Sequence, residues 1–331
     1  MSGAAAQAAA LATRMRAGVI ASPRGATLAS VERPEPGPGQ VLLALEGSGV
    51  CASSIPVWEG RSWFEYPQPA GAPGHEGWGR IVAIGDGVGG LAPGQRVAAL
   101  TYRAHAEYDV ADATAVVPLP ASLDAIAVPG EPLGCAVNIF RRSGIERGHT
   151  VAIVGIGFLG ALLTRLAANA GARVIAISRR PFALDIARAH GASEAIAMDD
   201  HSRIVEAVKR LTDGRLCERV IEAVGLQWPL DLAGELTAER GRLVIAGFHQ
   251  DGPRQVNLQL WNWRGIDVVN AHERDPRVYV EGIRGAVELL QSGVLDPTPL
   301  FTHRFPLDRL GEALELTRTR PDGFLKALVT I

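Results

Sequence analysis

Three short segments carry side chains that suit a transition-metal ion: Gly49-Val50-Cys51-Ala52-Ser53-Ser54, Gly74-His75-Glu76-Gly77 and Glu131-Pro132-Leu133-Gly134-Cys135. Singly, each is ordinary. A free cysteine is most often a small buried side chain, and Gly-His-Glu fits many turns. Together, Cys51, His75 and Cys135 make the two-thiolate, one-imidazole set that holds a catalytic zinc and leaves a fourth position open. Magnesium or calcium would ask for more oxygen ligands.

A second constellation lies downstream. Gly155-Ile156-Gly157-Phe158-Leu159-Gly160 follows a short apolar strand, Val151–Gly155, and leads into a helix expected over Ala161–Gly171. In the G-x-G-x-x-G pattern Gly155 permits the tight turn, Gly157 lets the backbone approach a pyrophosphate, and Gly160 lets helix and strand pack closely. The helix N-terminus, with Phe158 and Leu159 at the loop, turns its N–H groups toward the phosphates. A glycine pattern alone is weak, but here a second strand, Arg173–Ser178, follows at the right distance. That strand ends in Ser178-Arg179-Arg180, with no carboxylate before Asp185. An acid there would bond a ribose 2′-hydroxyl, whereas two guanidinium groups and a hydroxyl suit a 2′-phosphate. NADP(H) is therefore favoured over NAD(H). The competing reading is a solvated turn.

The elements that must position these groups are of two kinds. From Met15 to about Pro120 the chain reads as strands and turns: Arg16–Ile20, Gln40–Glu46, Trp78–Ile84, Arg96–Leu100 and Ala106–Val110, broken by Pro34-Glu-Pro-Gly-Pro-Gly39 and Pro93-Gly94. That composition predicts a β-rich, distorted barrel. From about Gly130, helical stretches alternate with apolar strands at Val151–Gly155, Arg173–Ser178, Arg219–Glu222, Arg242–Ala246 and Ile266–Val269. Such alternation predicts an α/β, doubly wound parallel sheet. Helices over Val278–Ser292 and Leu307–Thr319 and a strand over Leu325–Ile331 close the chain. The expected division is a discontinuous catalytic part, 1–135 with 274–331, around a dinucleotide-binding part, 136–273.

Length, charge and cysteine usage bound the rest. The 331 residues suffice for two sizeable cores, and a formal charge of −2 gives no basic footprint for nucleic acid. No apolar run approaches a membrane helix. Three cysteines, Cys51, Cys135 and Cys217, are too few for a disulfide framework, which points to the reducing cytoplasm. The first sixteen residues place their basic groups after a weak, Ala-rich stretch, the wrong order for a secretory signal. A frayed tail or short exposed helix is expected there.

From Pro34-Glu-Pro-Gly-Pro-Gly39 to Gly323-Phe-Leu-Lys-Ala-Leu, the chain resembles the medium-chain dehydrogenase/reductases, in their zinc-type alcohol and polyol (sorbitol-like) dehydrogenase branch. The resemblance implies a Rossmann domain beside a GroES-like catalytic domain, and a homodimer or homotetramer. It makes Cys51 and His75 zinc ligands, with Glu76 the adjacent acid that binds or swaps onto the metal in some members. Cys135 matches the third ligand of the alcohol dehydrogenases, and Glu131 the acid of the polyol dehydrogenases. Ser53 matches the hydroxyl that relays the substrate proton. Three departures stand out. Ser54 replaces a supporting aspartate, Pro56 replaces a histidine, and no cysteine between Leu91 and Pro120 can form the structural-zinc lobe, so one catalytic zinc is the ceiling.

The implied reaction moves a hydride between a nicotinamide and an alcohol or carbonyl substrate whose oxygen the zinc polarises. Two alternatives stand beside it: a zinc-free reductase of quinones or activated double bonds on the same fold, and a cofactor-binding protein without turnover. Retention of Cys51, His75 and Cys135 weighs against the first, and Ser53 beside an intact ligand set against the second. Trp58, Trp63, Phe64 and Tyr66 are expected either to wall the substrate site or to pack locally. Trp261 and Trp263 are candidates for a contact between copies.

Overall fold

The computed structural model describes residues 13–331, so the Ala-rich start up to Ala12 lies outside the described residues. The chain divides into two compact units. One takes the described residues up to Gly130 with His303–Thr319 and Ala327–Ile331, and the other takes Glu131–Thr302 with Arg320–Lys326.

In the first unit, β1 (Arg14–Ser22) and β2 (Gly25–Glu32) form an antiparallel pair. A seven-stranded sheet holds β3 (Gln40–Gly49), β4 (Gly77–Ile84), β5 (Arg96–Ala99), β6 (Tyr108–Asp112), β7 (Val116–Pro118), β14 (His303–Pro306) and β15 (Ala327–Thr330). Val41, Leu43 and Leu45 of β3 turn into a core with Ile81, Val97, Ala99 and Val116. The register pairs Ser48 with Gly77. That pairing brings the segment after β3 and the segment before β4 to the same end of the sheet. Strand β2 was not foreseen because its four apolar residues, Ala26, Leu28, Ala29 and Val31, alternate only weakly with polar neighbours and none is buried.

In the second unit, six parallel strands run in the order β10-β9-β8-β11-β12-β13. They are β8 (Thr150–Val154), β9 (Arg173–Ser178), β10 (Glu194–Ala197), β11 (Cys217–Glu222), β12 (Thr237–Ile245) and β13 (Asp267–Asn270). This is the doubly wound order, with its reversal between β8 and β11. Ala152, Val154, Ile175, Ile177, Val220 and Leu243 share one buried cluster, and β8 and β9, buried on both faces, read as unbroken apolar runs.

The tail divides differently from the expected boundaries. Helix α8 (Pro276–Gln291) packs on α2 (Gly130–Ser143). Asn138 Nδ2 donates to the Val278 carbonyl at 2.9 Å, and a Cβ on Gly134 would stand 2.7 Å from the Ile283 nitrogen. Residues 274–302 therefore belong with the parallel sheet, and the return to the first unit begins at His303.

Candidate metal centre and dinucleotide loop

Cys51 caps a single 3-10 turn, Ala52–Ser54, that follows β3, and its Sγ accepts the Ser53 N–H at 3.5 Å. His75 and Glu76 come immediately before β4. Gly74 is required there: a Cβ would meet the Ala104 and His105 backbone nitrogens at 2.5–2.6 Å. Only a bare backbone passes close enough to turn His75 toward Cys51. The Cys51 sulfur, a His75 ring nitrogen and a Glu76 carboxylate oxygen lie within 4.8 Å of one another, a spacing that one ion can bridge.

The tautomer of His75 is fixed by its partner. Nδ1 lies 2.8 Å from the Pro73 carbonyl, which can only accept, so Nδ1 carries the proton and Nε2 presents its lone pair. A backbone carbonyl holding the outer nitrogen is the usual support of a metal-binding histidine. Glu76 is fully buried, and buried acids need a proton, a cation or donors to offset desolvation. A thiolate, an imidazole and a carboxylate fit zinc. The Ser53 hydroxyl oxygen stands 3.5 Å from His75 Nε2, at the edge of the same cluster.

Cys135 and Glu131 sit one turn apart on α2, in the other unit, with the thiol donating to Glu131 Oε1 at 3.2 Å. Pro132 lies in the first turn of that helix, as expected. Among the aromatic candidates, Trp58 is core: it is 3% exposed and its Nε1 donates to Glu315 Oε2 at 2.9 Å. The Tyr66 hydroxyl donates to the Val57 carbonyl. That leaves Trp63, 58% exposed, with Phe64 tilted against it at 5.9 Å. Trp261 packs on the parallel-sheet core, whereas Trp263 is 87% exposed.

The glycine loop follows the expected geometry closely. Gly155 has φ +102°, in the region that favours glycine. Gly157 caps α3 (Phe158–Asn169), and a Cβ there would meet nothing within 4 Å. A Cβ on Gly160 would stand 2.1 Å from the Gly155 carbonyl oxygen. Gly155 and Gly160 thus serve the protein's own packing, while Gly157 keeps open the space in front of the helix. The helix begins at Phe158, three residues before the expected start. Phe158 is buried, stacked on Phe301 at 5.7 Å with the Lys326 ammonium 5.1 Å from its ring, so it contributes a backbone N–H rather than a side chain to the loop. Leu159 is half-buried.

Because β9 pairs with β8 in parallel, Val154 opposite Ile177, the segment Ser178–Arg180 opens on the same edge as the loop. The two arginines part company. Arg180 Nη1 donates to the Phe324 carbonyl and Nη2 to the Ile156 carbonyl at 3.3 Å, and burial lowers its affinity for its proton. It is a structural tie rather than a free phosphate ligand. Arg179 is exposed and makes no hydrogen bond or ion pair among the described residues.

One group escaped the sequence reading. Glu222, the last residue of β11, is fully buried and joined to His249, which Arg254 holds from its other side. Its signal was an acid ending an apolar strand just before Ala223-Val224-Gly225, but its partner lies 27 residues downstream.

Known proteins are similar to this chain. Residues 37–136 match the profile of the alcohol dehydrogenase GroES-like domain, and residues 159–290 that of zinc-binding dehydrogenases. The L-threonine 3-dehydrogenase of Pyrococcus abyssi is 28% identical, covering 90% of this chain and 94% of that protein. The erythritol/L-threitol dehydrogenase of Mycolicibacterium smegmatis is also 28% identical, over 96% and 98% of the two chains. A solved structure described as a zinc-binding dehydrogenase of Sinorhizobium meliloti 1021, bound to NADP, is 26% identical with a TM-score of 0.83, covering 97% of this chain and all of that one.

Proposed function

The chain belongs to the zinc-type medium-chain dehydrogenase/reductase superfamily, and from that premise we propose a zinc-dependent oxidoreductase that moves a hydride between NADP(H) and an alcohol or polyol, or the matching ketone or aldehyde. The observation that carries the reading is the cluster of Cys51, His75 and Glu76, with the Ser53 hydroxyl at its edge.

Cys51, His75 and Glu76 hold the metal, which when bound supplies Lewis-acid polarisation of the substrate oxygen. The Pro73 carbonyl keeps the His75 ring oriented with Nε2 toward the site. Ser53 takes or returns the hydroxyl proton at its Oγ, and no carboxylate or imidazole stands at positions 54 and 56 to carry it further. From Ser53 the proton would then leave to solvent. Gly155–Gly160 would hold the pyrophosphate, and the exposed Arg179 would pair with a 2′-phosphate. Trp63 and Phe64 supply an apolar surface suited to the carbon face of a polyol or an aryl alcohol.

Initial rates with a panel of polyols and alcohols, using NADP and NAD in turn, test the assignment. The expected result is NADP-linked oxidation that a chelator abolishes and added zinc restores. Chelator-insensitive reduction of quinones or enones, with no alcohol oxidised, would favour the metal-free alternative instead.

A further inference from the structure

The C-terminal rim of β11 and β12 carries a chain of polar groups that the proposed chemistry does not use. Glu222 Oε1 accepts the N–H groups of Val224 and Gly225 at 2.7 and 2.8 Å, and Oε2 accepts from His249 Nε2 at 2.9 Å. The Arg254 guanidinium donates from Nε to His249 Nδ1 at 3.0 Å and from Nη2 to the Gly225 carbonyl at 3.0 Å and to Asp251. The donors settle the tautomer. Because Arg254 can only donate, Nδ1 accepts, and the single imidazole proton sits on Nε2 facing Glu222.

This chain of bonds stitches two loops together, 223–225 after β11 and 246–254 after β12. They touch closely: a Cβ on Gly225 would stand 2.7 Å from the Phe248 carbonyl oxygen, and one on Gly247 2.2 Å from the Gly225 nitrogen. Phe248, immediately before His249, is 47% exposed and stacks on His272 at 5.9 Å. In a doubly wound sheet the dinucleotide lies outside the carboxyl ends of the strands, with one mononucleotide on each half. Arg179 and the glycine loop mark the β8–β10 half for the adenylate. The β11–β13 half, where Phe248 stands, then receives the nicotinamide.

We propose that His249, held between Glu222 and Arg254, is a positioning residue for the nicotinamide end of the cofactor, acting through the loop that presents Phe248. The proposal rests on the dehydrogenase reading above. A fully buried carboxylate with three donors is costly to build and leaves little freedom in the loops it joins. Removing the imidazole releases the 246–254 loop while leaving the adenylate side untouched.

Equilibrium titrations with NADPH and with 2′-phospho-ADP-ribose, which lacks the nicotinamide, separate this role from general damage. His249→Ala should weaken NADPH by about tenfold while leaving 2′-phospho-ADP-ribose within about twofold. His249→Gln, whose amide both donates and accepts, should recover NADPH to within about threefold of the parent. Unchanged NADPH binding by His249→Ala, equal weakening of both ligands, or failure of glutamine to rescue overturns the proposal. Should His249→Ala not fold, Arg254→Ala is read the same way, and weaker NADPH binding with 2′-phospho-ADP-ribose spared is again the expected result. A parent protein that binds neither ligand overturns the dehydrogenase reading along with this one. Parent binding with unaltered variants overturns the positioning role alone.

Discussion

Arg179 and Arg180 are adjacent, chemically identical and differently employed. Sequence alone marks both as a basic pair beyond the second strand, because composition shows charge but not what each guanidinium faces. Folding turns Arg180 onto the Ile156 and Phe324 carbonyls and leaves Arg179 exposed. Arg179→Ala should therefore weaken NADPH at least tenfold, about 1.4 kcal/mol, with NADH nearly unchanged in parallel titrations. Arg180→Ala should instead lower Tm, since it strands backbone carbonyls that lost their donor. Unchanged NADPH affinity in Arg179→Ala would return that arginine to the solvated turn. The aromatic candidates split on the same grounds. Trp58 and Tyr66 spend their polar atoms on protein partners, and only a fold could show it.

At the scale of elements, the glycine loop was legible because each glycine answers a backbone requirement that spacing encodes. The three glycines differ in what they protect. Gly157→Val should fold and lose cofactor, since its Cβ enters open space in front of α3. Gly160→Val drives a side chain into the Gly155 carbonyl and should cost about 1–3 kcal/mol in a denaturant titration. A folded Gly157→Val protein with undiminished nucleotide affinity would contradict the assignment of the loop. Helix α9 (Leu310–Thr319) offers a pH test. The Arg318 guanidinium, then the Trp58 N–H, hold the Glu315 carboxyl down to about 2 from its ordinary 4.5. The folded state binds the proton less readily than the unfolded one, so this contribution is present above about pH 4.5 and lost as pH falls toward 2. Because the Glu315 side chain is partly exposed, solvent screens the effect and keeps it small, and Glu315→Gln should flatten the acid limb of a Tm-against-pH curve in that window. The strands missed by reading are β2 and β10, partly exposed and without the apolar runs that reveal β8 and β9, and β7, only three residues long.

For the molecule as a whole, the change from period-two strands to alternating strand and helix near Gly130 made the two kinds of architecture readable. Where the tail divides was not readable, because the segment 274–302 is an amphipathic helix and loop whose partner, α2, is set only by close approach at Gly134 and Gly282. The grouping of Cys51, His75 and Glu76, though not of Cys135 with them, was legible for a related reason. Cys51 and His75 lie 24 residues apart, yet the antiparallel register of β3 and β4 closes that gap, and Glu76 rides with His75. The proposed chemistry depends on that cluster. Elemental analysis of purified, active protein tests it most directly, set beside the Cys51→Ser variant. The prediction is a single zinc per chain in the parent, lost in Cys51→Ser together with turnover while NADPH affinity is retained. Active parent protein carrying no metal would contradict it.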